Sequence, residues 1–215
     1  VKEEDFGKGL VFAPLVGLVL GGCLAAAYYV LNAVFPPLVT AVGIVVFYIM
    51  LTGGLHIDGL GDTFDGLFSN RSKEKILEIM RDSRVGTNAV LAVVCLILIN
   101  IGMLSEFDPQ HVVKVLLLMP VAGRIGSLIG SGISTYARRG EGLGKSFIDY
   151  CGYKEIVLGL PIYFIIFYVV WAGTGLIASL ISAITAAALT WFFSRKIGGA
   201  TGDILGAVCE LNQTF

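Results

Sequence analysis

Three aspartates stand at helical spacing in a glycine-rich stretch, where together they could bind a metal ion. Asp58, Asp62 and Asp65 follow one another at intervals of four and three residues. At about 3.6 residues per helical turn, these intervals place all three on one face of a helix. Converging carboxylates repel one another unless some are protonated or a cation lies among them, and Mg²⁺ prefers oxygen ligands. We therefore predict that these aspartates bind Mg²⁺.

The pattern GGxxxDxLG occurs twice, at 53–61 and again at 198–206. In each copy a second carboxylate follows the first by seven residues, Asp65 in the first copy and Glu210 in the second. Seven residues are close to two helical turns, so each copy presents two carboxylates on one helix face. A duplicated helix pair would bring its two copies together at a shared interface. We therefore expect an internal repeat, and we add Asp203 and Glu210 to the predicted metal ligands.

Basic side chains near the acidic stretch could bind phosphate groups. The candidates are Arg81, Arg84, Arg124, Arg138 and Lys145. Arginine binds phosphate oxygens by paired hydrogen bonds, although Arg81 and Arg84 could equally hold their loop at anionic lipid headgroups. Arg124 lies inside an apolar run, where its positive charge must be paired with either a motif carboxylate or a substrate phosphate. For the catalytic base we consider His56, which could instead be a hydrogen-bonded structural residue, and Asp82.

The composition is that of a membrane protein. Of the 215 residues 56% are hydrophobic and 14% charged, and the mean hydropathy is +0.84, far from the averages for soluble domains. Six apolar runs come near the roughly 17 to 25 residues that a spanning helix needs. These runs are 10–31, 34–51, 88–104, 112–133, 156–171 and 176–193. We predict an all-α, polytopic membrane helix bundle with about six transmembrane helices, and a single catalytic domain over residues 1–215.

Lysine and arginine are concentrated in alternate connections, which predicts the orientation of the bundle. The opposite connections, 32–37, 105–110 and 173–175, contain neither residue type. Basic residues in short loops stay on the cytoplasmic side of a membrane. We therefore expect the chain to lie in the cytoplasmic (inner) cell membrane, with the acidic stretch facing the cytoplasm. Residues 72–81 have an apolar stripe beside charged side chains, which predicts an interfacial helix at this face. The net charge of −1 argues against a nucleic-acid partner.

Four segments, in this order along the chain, resemble the cobalamin synthase family, also called adenosylcobinamide-GDP ribazoletransferases. They are residues 53–66, 77–87, 136–144 and 198–211. The resemblance implies a Mg²⁺-dependent enzyme of the last steps of coenzyme B12 biosynthesis. Such an enzyme transfers the cobinamide phosphoryl moiety of adenosylcobinamide-GDP to α-ribazole, or to its 5′-phosphate, and releases GMP. The resemblance further implies that the chain is trimmed at both ends; a homo-oligomer, or association with other cobalamin-assembly enzymes, stays open.

Two other classes of membrane protein share part of this pattern. A CDP-alcohol phosphotransferase, which makes phospholipid, also gathers aspartates at a cytoplasmic membrane face, and Gly54, Asp58 and Asp62 have part of its spacing. The remainder of its signature is absent. An ion-coupled transporter would place ionisable groups near the bilayer midplane, where Arg124 alone lies clearly within an apolar run. Both classes are therefore secondary hypotheses.

Overall fold

The structure, a computed structural model, describes residues 2–140 and 142–215, and its regular elements there are helices. In chain order they are α1 Glu3–Gly9, α2 Ala13–Asn32, α3 Pro37–Thr52, α4 Leu55–Leu67, α5 Lys73–Ile79, α6 Thr87–Glu106, α7 Pro109–Ile133, α8 Leu143–Asp149, α9 Tyr153–Ile197 and α10 Gly202–Thr214. A short 3-10 turn, Leu10–Phe12, joins the first two. The prediction of an all-α polytopic bundle is confirmed.

Several helices are long and apolar enough to cross a bilayer. Within the described residues there are four such segments, Glu3–Asn32, Thr87–Glu106, Pro109–Ile133 and Tyr153–Ile197. A fifth crossing results if α3 and α4, which meet at an angle of 91°, are counted together. The structure therefore gives four or five candidate spans, and the number of about six stays a prediction.

The long helix α9 contains both the fifth and the sixth apolar run, and it reverses between them. Its backbone leaves helical geometry at Trp171 and Ala172. The hydroxyl of Tyr163 donates to the carbonyl oxygen of Ser179 at 3.1 Å, although sixteen residues of straight helix would separate them by about 24 Å. The two parts of α9 therefore lie side by side, as the two separate runs in the sequence indicate.

Glycine pairs end the two helices that lead into the motif segments. Gly53 after α3 and Gly198 after α9 have φ angles of 63° and 70°, a left-handed conformation that glycine adopts without a Cβ penalty. A helix of 13 residues follows each pair, α4 in the first copy and α10 in the second. Both copies of the sequence repeat therefore consist of a long helix, a glycine turn and a short helix.

The short helices α4 and α10 touch at their glycines. A Cβ atom built on Gly59 would lie 2.9 Å from the carbonyl oxygen of Asp203, and one built on Gly206 would lie 3.2 Å from that of His56. Because neither glycine has a side chain, the two backbones approach closely. The expected placement of the two copies against each other is therefore present, with Asp203 directly across from the first acidic stretch.

The interfacial segment forms α5, which packs against α4. Ile76 and Met80 are buried, and a Cβ atom on Gly66 would meet both of their side chains. Ser72 occupies the N-cap position, but its side chain makes no capping hydrogen bond to the helix backbone. The apolar stripe of α5 therefore packs against the rest of the protein, and it helps to hold α4, the helix that carries the three aspartates, in place.

Candidate active site

Asp58 and Asp62 are the aspartates of α4 whose side chains make no hydrogen bond or ion pair with the described residues. Asp58 is exposed and Asp62 is partly buried, and they lie about one helical turn apart on the same face. The Asp62 carboxylate is also close enough to Asp203 to be repelled by its charge. Negative charge from both copies of the repeat therefore meets here.

Asp203 faces this pair from the first turn of α10, where it forms an ion pair with Arg138. Nη2 of Arg138 donates to Oδ2 of Asp203 at 2.5 Å, and 12% and 22% of the two side chains are exposed. Burial raises the pKa of the Asp203 carboxyl, and the positive charge of Arg138 partly opposes this increase. The Asp203 carboxylate therefore lies where negative charge is unfavourable without a nearby cation.

The position of Arg138 is set by pairing between its loop and the second glycine turn. The amide of Ala137 donates to the carbonyl oxygen of Ala200 at 2.9 Å. The amide of Ala200 in turn donates to the carbonyl oxygen of Thr135 at 2.8 Å. These two bonds form a short parallel bridge at Tyr136. The sequence has no strand pattern here, because a single bridge lacks the periodicity of a sheet.

Asp65, the third aspartate of the motif, caps a neighbouring helix. Its two carboxylate oxygens accept from the backbone amides of Gly86 at 2.6 Å and Ala89 at 2.9 Å. These amides belong to the first turn of α6, where backbone N–H groups lack helical partners and the helix dipole favours a negative charge. The role of Asp65 as a metal ligand stays a prediction, and it would require the carboxylate to leave these two amides or to bind the metal in addition.

Glu210 lies two helical turns beyond Asp203, in a buried hydrogen-bond network. Its carboxylate accepts from the Tyr48 hydroxyl at 2.7 Å and from the Gln213 amide at 2.8 Å. Arg124, which is 7% exposed, donates to the Tyr48 hydroxyl at 3.4 Å and to the Gln213 side-chain oxygen at 3.2 Å. Of the two partners considered for Arg124, this arrangement favours a motif carboxylate, which it reaches through Tyr48 and Gln213.

The two candidate bases lie in different surroundings. Nδ1 of His56 is buried and has no hydrogen-bond partner among the described residues, and the charges of Arg124 and Glu210 act on its ring. Asp82 lies on the loop after α5, where its carboxylate accepts from the side chain and the backbone amide of Arg84. These hydrogen bonds lower the pKa of Asp82 to about 2, which weakens it as a proton acceptor. Both assignments of a base stay predictions.

The remaining basic candidates are nearer the solvent. Arg81 is exposed, and Arg84 is held by Asp82. Lys145 on α8 is 4.0 Å from Asp149, with nearly half of each side chain exposed. Of the five predicted phosphate-binding residues, the structure therefore brings Arg138 next to the aspartates, whereas Arg124 lies deeper, in the Glu210 network.

Carboxylate oxygens that could bind a cation are present, although they are not already arranged as a metal site. Among residues 2–140 and 142–215 there is no group of three His, Cys, Asp or Glu side chains arranged to hold a metal ion. Asp65 accepts from backbone amides, and Asp203 is paired with Arg138. Asp58 and Asp62 offer free carboxylate oxygens, and Asp203 would offer a third carboxylate if Arg138 released it. This set suits Mg²⁺, which binds through a few carboxylates and keeps several water ligands.

Three residues of this region were missed in the sequence analysis. Tyr48 and Gln213 connect Glu210 to Arg124, and Thr201 accepts from the amide of Ile204 at 3.3 Å as the N-cap of α10. The Thr201 cap could have been found, because a threonine before a predicted helix is a common N-cap. A polar residue at helical spacing from Glu210 is the corresponding signal for Gln213.

The fold and the site together define a polytopic membrane protein whose acidic centre is shared by two glycine-linked helices. The family model described as cobalamin-5-phosphate synthase matches residues 1–215. A curated protein from Acetivibrio thermocellus, named adenosylcobinamide-GDP ribazoletransferase, is 62% identical over 213 residues, which are 99% of this chain and 86% of that protein. One of the same name from Clostridium acetobutylicum is 59% identical over 215 residues, which are 100% of this chain and 85% of that protein. No solved structure matches.

The chain therefore belongs to the cobalamin-5-phosphate synthase family. It is a transferase of cobalamin biosynthesis. The resemblance drawn from the four sequence segments is confirmed by matches that extend over the whole chain.

Proposed function

We propose that this chain transfers the cobinamide phosphoryl moiety of adenosylcobinamide-GDP to α-ribazole or its 5′-phosphate, releasing GMP, with Mg²⁺ as cofactor. The observation that carries the proposal is the meeting of Asp58 and Asp62 on α4 with Asp203 and Arg138 across the helix contact. The names of the Acetivibrio and Clostridium relatives supply the substrate class. The geometry supplies an acidic centre and an adjacent guanidinium, which a phosphoryl transfer requires.

The reaction exchanges one phosphorus–oxygen bond for another. A ribazole hydroxyl attacks the phosphorus that carries the cobinamide oxygen, and the bond from this phosphorus to the bridging oxygen breaks. GMP leaves with that oxygen and its electron pair, and the hydroxyl proton passes to a base or to water. Such transfers depend mainly on in-line positioning and on neutralising phosphate charge. Bound Mg²⁺ would supply part of that neutralisation.

The residues of this chain have separate tasks in the proposal. Asp58, Asp62 and Asp203 would hold Mg²⁺, and Arg138 would bind a phosphate oxygen beside them. Because Arg138 is mostly buried and fixed by its backbone bridge, it can orient the phosphate with little loss of side-chain freedom. His56 and Asp82 stay candidates for the base, and Asp65 and Glu210 stay candidates for additional ligands.

We further propose that the acidic centre faces the cytoplasm from the cytoplasmic membrane. This follows from the concentration of basic residues in the connections on that side. A cysteine placed at Asn70, in the exposed connection between α4 and α5, should react with a membrane-impermeant thiol reagent only after the cells are opened. Labelling of this variant in intact cells would contradict the proposed orientation.

The reaction is tested with the variants Asp58→Asn and Asp62→Asn in reconstituted vesicles that contain Mg²⁺. Each change removes a ligand charge but little volume, so we expect the protein to fold and turnover to fall by at least about 10²-fold. Asp149→Asn, a matched change at a partly exposed residue of α8, should retain activity. Normal turnover of either site variant would show that the substituted aspartate is not needed for the reaction. Normal turnover of the unaltered protein in chelator would show that Mg²⁺ is not needed.

A further inference from the structure

Arg138 is paired with a carboxylate that the proposed function assigns to the metal ion. The Arg138–Asp203 pair is mostly buried, so water screens it less than it would a surface pair. Mg²⁺ and a guanidinium are both cations that seek carboxylate oxygens. If both approached Asp203 at once, they would repel each other in a region of reduced dielectric. Arg138 and Mg²⁺ therefore compete for Asp203.

The guanidinium of Arg138 has hydrogen-bonding capacity that the ion pair does not use. Nη2 donates to Asp203 and, at 3.3 Å, to the carbonyl oxygen of Met80. Nε is buried and has no hydrogen-bond partner among the described residues. An arginine has five N–H donors in a planar fork that matches two oxygens of a phosphate. An anion reaching this side chain would therefore find donors that Asp203 leaves unused.

The surroundings allow the side chain to change partners while its backbone stays in place. The bridge between Tyr136 and Ala200 fixes the backbone next to Arg138. The Thr201 hydroxyl also donates to Oδ2 of Asp203 at 3.3 Å, so Asp203 keeps one donor when Arg138 leaves. The three carboxylates of the site carry more negative charge than one guanidinium can offset. A divalent cation on these carboxylates would leave the charge of Arg138 available to an anion.

We infer that Arg138 holds Asp203 in the metal-free site and exchanges it for a phosphate group of the substrate when Asp203 binds Mg²⁺. The inference rests on the proposed function, which identifies the metal and the phosphate. Through this exchange, Mg²⁺ releases Arg138 for the anion, and the anion removes the competitor of Mg²⁺. The affinities of Mg²⁺ and of the anion are therefore coupled positively, and by the same factor in both directions.

The exchange is tested by titrating Mg²⁺ into the purified, detergent-solubilised chain and measuring the binding heat. Arg138→Gln removes the competing charge but keeps a polar side chain that can form hydrogen bonds. We expect it to bind Mg²⁺ about 5-fold more tightly or better, the lower end of the usual range for coupled sites. Arg139→Gln is the matched control, because Arg139 is exposed and forms no ion pair with the described residues. This control should bind Mg²⁺ as the unaltered chain does.

Inorganic phosphate serves as the anion probe. In the unaltered chain it should increase Mg²⁺ affinity, at free Mg²⁺ concentrations corrected for complex formation in solution. In Arg138→Gln this increase should be lost. Asp203→Asn should weaken Mg²⁺ binding, and combining it with Arg138→Gln should abolish the gain that Arg138→Gln gives alone, because the two residues act on one another.

Equal or weaker Mg²⁺ binding by Arg138→Gln would overturn the inference, since it would mean that Arg138 supports the metal site or is independent of it. Unchanged Mg²⁺ binding by Asp203→Asn would also overturn it. If Arg138→Gln fails to fold, Arg138→Lys takes its place, with a smaller gain expected because a single ammonium pairs less well than the fork. These titrations need no corrinoid substrate. A failure of the proposed reaction would therefore show in the turnover assay and leave the Mg²⁺ result to stand on its own.

Discussion

The two short motif helices have the same length, yet their second carboxylates have different contacts. Each contains 13 residues, but α4 begins directly after the left-handed Gly54, whereas α10 begins four residues after the left-handed Gly198. Asp65 of α4 accepts from the first backbone amides of α6. Glu210, at the equivalent position of the sequence repeat, accepts from Tyr48 and Gln213 inside the bundle. The repeated sequence therefore determines the order of long helix, glycine turn and short helix, while the neighbouring helices determine the contacts of each side chain.

The first carboxylates of the two copies also differ. Asp58 is exposed and has no partner among the described residues, whereas Asp203 is partly buried and paired with Arg138. This difference arises from the loop after α7, which pairs with the second glycine turn at Ala200. Among the described residues no such bridge involves the first glycine turn, where a Cβ atom on Gly53 or Gly54 would meet nothing within 4 Å. One copy of the repeat therefore presents an exposed carboxylate, and the other presents a carboxylate that is paired with an arginine.

The largest effect on stability is expected at Glu210, the buried carboxylate of the second copy. Glu210→Ala removes the carboxylate from the Arg124 network and leaves the Gln213 amide without its acceptor, while the Tyr48 hydroxyl keeps only the Gln213 side-chain oxygen at 3.2 Å. Breaking a buried charged network from one side typically costs about 3 to 5 kcal/mol. We expect a loss of this size in the free energy of unfolding, measured by denaturation in detergent micelles.

Glu106→Ala, at the exposed end of α6, is the control for this loss and should have little effect. The double variant Glu210→Gln with Arg124→Met should recover part of the stability, because it removes both charges together. A loss below about 1 kcal/mol in Glu210→Ala would mean that Arg124 is satisfied without Glu210, as for an exposed ion pair.

An intermediate effect is expected from alanine at the second glycine of each pair. A Cβ atom on Gly199 would lie 2.4 Å from the carbonyl oxygen of Thr135, whereas one on Gly54 would meet nothing within 4 Å. The Thr135 oxygen accepts from Ala200, so Gly199→Ala must displace the loop that holds Arg138. We expect Gly199→Ala to lower the free energy of unfolding by about 1 to 3 kcal/mol more than Gly54→Ala does. Equal losses in the two variants would show that the pairing at Ala200 is not rigid.

Some of this asymmetry could be predicted from the sequence, and the rest could not. The spacing of Asp58, Asp62 and Asp65, together with the second copy at Asp203, predicted that carboxylates from both segments would meet. Helical periodicity places each set of carboxylates on one helix face, and the repeat predicts that the two copies meet. The cap that Asp65 forms on α6 and the pair between Asp203 and Arg138 involve residues 21 and 65 positions apart. Such contacts depend on how whole helices and loops pack, which local spacing does not specify.

The smallest effect in this series is expected at Asp65, where the comparison between the two copies is sharpest. Asp65→Ala leaves the amides of Gly86 and Ala89 without their acceptor. Loss of a helix cap typically costs about 1 kcal/mol, and up to about 2. We expect a loss of this size in the free energy of unfolding, with Mg²⁺ affinity weakened far less than in Asp58→Asn. Asp108→Ala is the matched control, because Asp108 caps α7 through the amide of Gln110 at 2.8 Å.

If Asp65 serves only as a cap, Asp65→Ala and Asp108→Ala should lose similar stability, and both should bind Mg²⁺ as the unaltered chain does. If Asp65 is also a metal ligand, Asp65→Ala should lose as much Mg²⁺ affinity as Asp58→Asn, while Asp108→Ala loses none. Stability measured without Mg²⁺ separates the two contributions, because a ligand stabilises the folded chain only when the metal is bound. The cap acts at every Mg²⁺ concentration. The difference in unfolding free energy between Asp65→Ala and the unaltered chain should therefore stay constant as Mg²⁺ is added, and a difference that grows with Mg²⁺ would assign Asp65 to the metal site.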